Sequence, residues 1–237
     1  DEPSNQLARL FDYQGIDTCA ATGLCADRCP VGINTGALIK KLRTEKYRRF
    51  VPIARWSAAH FAGVTRTARG ALGLKMIAGK LLGGKALAGL VNGVRHLSGQ
   101  RTPVWLPTLP GPSRYQWSQG EGSHGGSSER AVVYLPSCAS RVFGQQEDAP
   151  SLPDVVQSLL KKAGCRVIVP VRVEGLCCGI PYDSKGMVEV AAAKRSELAE
   201  ALWQASEQGR WPVEAGRYRL VVSLACPWAH RSVIVRG

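Results

Sequence analysis

Cys19, Cys25 and Cys29, with Pro30 directly after them, are the residues best placed by type and spacing to do chemistry in this chain. They fill three of the four cysteine positions of the run C-x2-C-x2-C-x3-C-P, and Thr22 stands where the second cysteine of that run would fall. Close spacing lets one turn aim several thiolates at a point, and soft sulfur ligands suit iron–sulfur clusters. A threonine hydroxyl is not a soft ligand. The pattern therefore predicts three local ligands to a 4Fe–4S cluster that stays incomplete unless a fourth comes from elsewhere. Two plainer alternatives stand beside it: three unconnected cysteines, or thiolates holding structural zinc.

The remaining cysteines extend the theme. Cys138 sits in Leu-Pro-Ser-Cys-Ala-Ser, and Cys177 and Cys178 form Leu-Cys-Cys-Gly-Ile-Pro-Tyr. Cys226 opens Cys-Pro-Trp-Ala-His. Cys165 lies in an apolar run and reads as a small core side chain. The sequence has eight cysteines in 237 residues, too long a chain to depend on disulfides for its core. Cysteines clustered near Pro and Gly fit a reducing compartment and metal binding.

These side chains need elements to hold them. Residues 1–50 read as short helices around a cysteine loop, with Asn34-Thr35-Gly36 leading into a helix over 37–43. Residues 51–106 read as a basic helical segment interrupted by glycines, and 107–129 as a Gly/Pro/Ser linker that includes His124. From 130 the pattern alternates: a strand over 131–135, a helix over 153–163 capped by Ser151 and ended by Gly164, a strand over 165–171, a helix over 184–208, and a third strand over 218–224. The long helix has Met187, Val190, Ala191, Leu198, Leu202 and Ala205 near one face. The fold class expected is α+β, a helical segment followed by an α/β domain with a small parallel sheet. Cys138, the Cys177–Cys178 pair and Cys226 each follow a strand. Ligands bind at the carboxyl ends of strands in such sheets, so Cys138 and Cys177–Cys178 are expected to share one crevice, with Gly179 letting the backbone approach a cofactor closely.

The formal net charge is +13, and acidic residues almost vanish between Lys40 and Arg101. That favours anionic partners. Aromatic residues do not alternate with the basic ones, so a nucleic-acid partner is not expected. Lys75, Lys80 and Lys85 step by about 140° on a single helix and so ring it, which counts against an amphipathic membrane helix. Peripheral membrane contact and a merely solvated basic segment stand as equal alternatives. No run of about twenty uncharged apolar residues is present.

The segment Asp17-Thr-Cys-Ala-Ala-Thr-Gly-Leu-Cys-Ala-Asp-Arg-Cys-Pro-Val-Gly-Ile33 resembles the iron–sulfur part of bacterial FAD-linked D-lactate dehydrogenases, relatives of D-2-hydroxy acid and glycolate oxidases. Leu135-Pro-Ser-Cys-Ala-Ser-Arg141 and Gly175-Leu-Cys-Cys-Gly-Ile-Pro-Tyr-Asp-Ser-Lys-Gly186 look like their cysteine-rich CCG domain. The resemblance covers roughly residues 5–212. It implies electron transfer from an FAD-containing dehydrogenase domain towards a quinone or cytochrome, in the cytoplasm or at the cytoplasmic face of the inner membrane. Cys19, Cys25 and Cys29 are then cluster ligands, and Cys138, Cys177, Cys178 and Gly179 a second redox or metal site. It also implies that the flavin domain and an upstream four-cysteine motif lie outside this sequence, so that the stretch by itself is not expected to turn over.

Residues 213–237 are similar instead to the active-site start of glutathionyl-hydroquinone reductase, a glutathione transferase relative with a thioredoxin-like strand–Cys–helix unit. In that reading Cys226 is a nucleophile at a helix start, and a junction between two coding regions falls near Trp211-Pro212. The domain expectation is accordingly 1–50, 51–106, 107–129, 130–212 and 213–237.

Overall fold

The structure is a computed structural model and describes residues 6–8, 10–99, 109–115, 130–145 and 150–205. After a π-helical turn at Phe11–Asp17, the described elements run α1 Leu24–Arg28, α2 Thr35–Tyr47, a 3-10 turn at Arg48–Phe50, α3 Val51–Ala59, α4 Phe61–Leu82, α5 Gly84–Leu97, β1 Arg130–Val133, α6 Cys138–Val142, α7 Leu152–Lys162, β2 Cys165–Ile168, a 3-10 turn at Val173–Gly175, α8 Ile180–Asp183 and α9 Val188–Ala205. The class is α+β: mostly helix, with one two-stranded parallel sheet. Contacts divide the chain into two compact units, one drawn from Asp1–Ala59 with Cys177–Gly237, the other from His60–Leu176.

In the first unit α9 packs on α8 and α3. Apolar side chains recur along α9 at helical spacing, and Val190 and Ala191 are buried by it, as are Ala54 and Ala58 of α3. Lys194 sits on the same buried face and pairs with Glu197 one turn on. The helix expected over 184–208 is α9, which begins only at Val188: residues 184–187, after α8, form a turn through Gly186. There the Gly186 carbonyl accepts from the Thr44 hydroxyl of α2 at 2.9 Å. α2 begins at Thr35, two residues before the helix expected over 37–43, because the Asn34 side chain accepts from the Ala37 N–H at 3.0 Å and supplies one of the helix's orphan donors with a partner.

In the second unit β1 and β2 pair in register from Arg130 opposite Cys165 to Val133 opposite Ile168. The Tyr134 N–H donates to the Ile168 carbonyl at 2.8 Å and carries the pairing one step further. Both strands are shorter than the runs that predict them. α7 connects them and packs on β2; its N-cap is Ser151, which accepts from the Asp154 N–H at 3.2 Å. Cys165 is half-buried, not a core side chain, because it opens β2 at the rim of a two-stranded sheet. α4 packs against α5, α6 and the 3-10 turn. Glu174 of that turn is paired with Arg69 at 2.8 Å and Arg66 at 3.5 Å, both on α4. Burial pushes the Glu174 carboxyl up, and the two guanidiniums outweigh it and hold it below its ordinary range. α4 and α5 are separate helices because Gly83 between them takes φ +77°, a conformation an L side chain resists. The third strand, over 218–224, and most of the linker lie outside the described residues.

Candidate thiol site

The loop carrying the first three cysteines is built from short turns braced by α2. The Thr18 N–H closes the π-helical turn on the Tyr13 carbonyl at 3.1 Å. Cys19 follows it, and its Sγ accepts from the Ala21 N–H at 3.3 Å. Ala21 is buried with φ +50°, a strained backbone for a residue with a Cβ. The strain is held in place because α2 lies directly on it: a Cβ on Gly36 would come within 3.2 Å of the Ala21 backbone. α1 then lifts Cys25, and Cys29 ends that helix with its N–H on the Ala26 carbonyl at 3.2 Å.

One side chain of α2 fixes this path. Arg43 is 3% exposed. Its guanidinium donates to the carbonyls of Ile16 at 2.9 Å, Asp17 at 3.1 Å and Cys19 at 2.6 Å, and to Ser184 just past α8 at 2.7 Å. It satisfies four backbone acceptors and ties the approach to Cys19 to the chain beyond Cys177. Lys46, one turn on, bridges Asp12 at 2.8 Å and Asp17 at 2.9 Å, and Tyr47 donates to Asp17 at 2.8 Å. The Lys46 hydrogen bond, opposed by burial and helped by Tyr47, holds the Asp17 carboxyl below its ordinary range. The sequence pattern gave no sign of Arg43: a basic residue on a basic helix reads as solvated.

The thiols sit among hydrogen-bond donors. The Thr35 hydroxyl donates to Cys25 Sγ at 3.0 Å. That bond first, then the Gly36 N–H, pulls the Cys25 thiol below the ordinary cysteine value. Cys29 is lowered by the N–H groups of Ile33 and Val31, with that of Gly32 adding to them, while the neighbouring Cys25 raises it. Two thiols within electrostatic reach of each other are thus both poised towards the thiolate, the form that binds metals.

The described residues contain no group of three or more Cys, His, Asp or Glu side chains gathered so as to hold a metal ion. Against a 4Fe–4S cluster, Cys25 and Cys29 offer the chemistry of ligands, thiols drawn towards the thiolate, but no gathered set. The three thiols Cys19, Cys25 and Cys29 do not stand converged as a finished ligand set. Thr22 makes a hydrogen bond in the loop, accepting from the Leu24 N–H at 3.5 Å.

Cys177 and Cys178 belong to the first unit and Cys138 to the second. Cys177 is buried, its Sγ accepting from the Gly179 N–H at 3.4 Å, and Cys178 is exposed. Burial raises the pKa of neighbouring Tyr182; Ser57, in hydroxyl contact at 3.2 Å, opposes the rise and Cys177 adds to it. Gly179 has φ +78°, and a Cβ there would meet the Ala191 carbonyl oxygen of α9 at 2.4 Å. The close approach that Gly179 makes in the fold is to helix α9. Cys138 is half-buried in the first turn of α6, which Ser137 caps by accepting from the Ser140 N–H at 3.1 Å. In the same helix buried Arg141 donates to the carbonyls of Val173 and Leu176, the latter at 2.6 Å. Cys226 lies outside the described residues.

No protein-family model matches this chain, and neither a curated protein nor a solved structure matches it.

Proposed function

We propose that this chain is an iron–sulfur electron-transfer segment serving an FAD-dependent D-2-hydroxy acid dehydrogenase, with a D-lactate-type substrate oxidised on a flavin domain and a quinone or cytochrome as acceptor. Its location in this reading is the cytoplasm or the cytoplasmic face of the inner membrane. The observation that carries it is the donor cradle that stabilises thiolate at both Cys25 and Cys29, within a loop whose backbone Arg43 pins. Cys19 is the third ligand, and the fourth comes from outside the described residues. No described helix is long and apolar enough to cross a membrane.

Anaerobic reconstitution with iron and sulfide, followed by metal and acid-labile sulfide analysis, tests the reading. Iron and sulfide bound together, with visible absorption that falls in Cys25→Ser and Cys29→Ser, support it. Colourless protein holding stoichiometric zinc instead supports the structural-zinc alternative and removes the electron-transfer role.

A further inference from the structure

Helices α4 and α5 carry no acidic residue, and none stands anywhere between Glu45 and Glu121. On α4, Leu74, Ile77 and Leu81 fall within about 60° of one another on the helical wheel. They lie on the far side from buried Thr65 and Leu72 and are 68%, 58% and 79% exposed. On α5, Leu90, Val94 and Leu97 make a second stripe of similar width, and Leu97 is 91% exposed. Lys80 lies about 60° beyond one edge of the first stripe, Lys75 about 100° beyond the other with its ammonium on the Leu109 carbonyl at 2.6 Å, and Lys85 and His96 lie opposite the second. Gly83 separates the two helices, and α4 ends there in exposed Leu81 and Leu82. Because the chain breaks there, Lys75, Lys80 and Lys85 do not ring one helix. Each helix is amphipathic in its own right.

We propose that α4 and α5 dock on an anionic lipid surface, their leucine stripes entering the boundary between headgroup and acyl chain, with Lys80 beside the α4 stripe at headgroup level and Lys85 on the polar face of α5 adding attraction to the negative surface. The surface offers what each stripe lacks, an apolar layer bordered by negative charge. A second copy of this face would bring like charges together. The inference is independent of the iron–sulfur reading.

The test is co-sedimentation of the full chain with phosphatidylcholine vesicles, and with phosphatidylcholine–phosphatidylglycerol vesicles at roughly two to one. Binding to the anionic vesicles is expected to exceed binding to the neutral ones by about tenfold or more and to weaken with added salt. Lys80→Glu with Lys85→Glu lowers it, and so does the uncharged change Leu81→Ser with Leu97→Ser. All four positions are exposed, so circular dichroism stays that of the parent. Leu159→Ser, at an exposed leucine of α7, leaves binding unchanged. Equal binding to both vesicles, or full binding by the double leucine variant, overturns the proposal. So does light scattering that shows a dimer which the double leucine variant splits, for the stripe then belongs to a second copy.

Discussion

The sulfur of Cys25 owes its acidity to a single hydroxyl before anything else. Thr35 donates to it at 3.0 Å, and removing that donor leaves the thiolate with backbone partners alone. Thr35→Val is therefore expected to move the apparent pKa of Cys25 up, towards the ordinary cysteine value. The rate of iodoacetamide modification at Cys25, followed against pH by mass spectrometry, reads this. Modification at low pH slows in the variant, while Cys29, held by the N–H groups of Ile33 and Val31, keeps its profile. An unchanged Cys25 profile removes Thr35 from the account. The cysteine spacing and the trailing proline made these thiols visible in sequence. The hydroxyl ten residues on was not visible, because a threonine at the start of a helix reads as a turn residue whatever it faces. The same holds for Gly179: its dipeptide context marks a special backbone, but only the fold shows that Ala191 is what comes close.

At the scale of elements, local chemistry was readable wherever one side chain decides the outcome. Ser151 caps the helix it was expected to cap, Asn34-Thr35-Gly36 leads into a helix as expected, with Asn34 as its cap, and the sheet is parallel as the alternation implied. Reading failed where a contact distant in sequence decides. The helix expected from Ser184 starts only at Val188, after a turn whose Gly186 backbone is bonded to Thr44 of α2, and Cys165 lies at a rim that the apolar run around it conceals. Two substitutions test the contacts that make these decisions. Gly179→Ala is expected to cost about 2 kcal/mol or more, since the new Cβ meets a carbonyl oxygen in a left-handed backbone. Arg43→Gln orphans buried carbonyls at Ile16, Asp17, Cys19 and Ser184 and is expected to cost about 1–3 kcal/mol. Urea unfolding measures both, and a midpoint unmoved by either change contradicts the packing described.

Across the whole molecule, the first unit draws on two separate stretches of chain, and buried Arg43 is one of the contacts that join them. That return was not legible: nothing in a local pattern says that the stretch after Cys177 rejoins the first sixty residues, because the pairing is made by scattered contacts, Arg43 on Ser184, Lys40 on Asp183, Thr44 on Gly186 and Ser57 beside Tyr182, together with apolar packing. The consequence for function is direct. The cysteine loop is held by the same unit that contains Cys177 and Cys178, so a disturbance at Arg43 should weaken metal binding at the loop along with the fold. The central claim is that Cys25 is an iron ligand, and electron paramagnetic resonance of the anaerobically reconstituted, dithionite-reduced chain tests it most directly. The account predicts an iron–sulfur signal in the parent and in Cys165→Ser that is lost or changed in form in Cys25→Ser. A full four-iron signal that survives Cys25→Ser unaltered would contradict it.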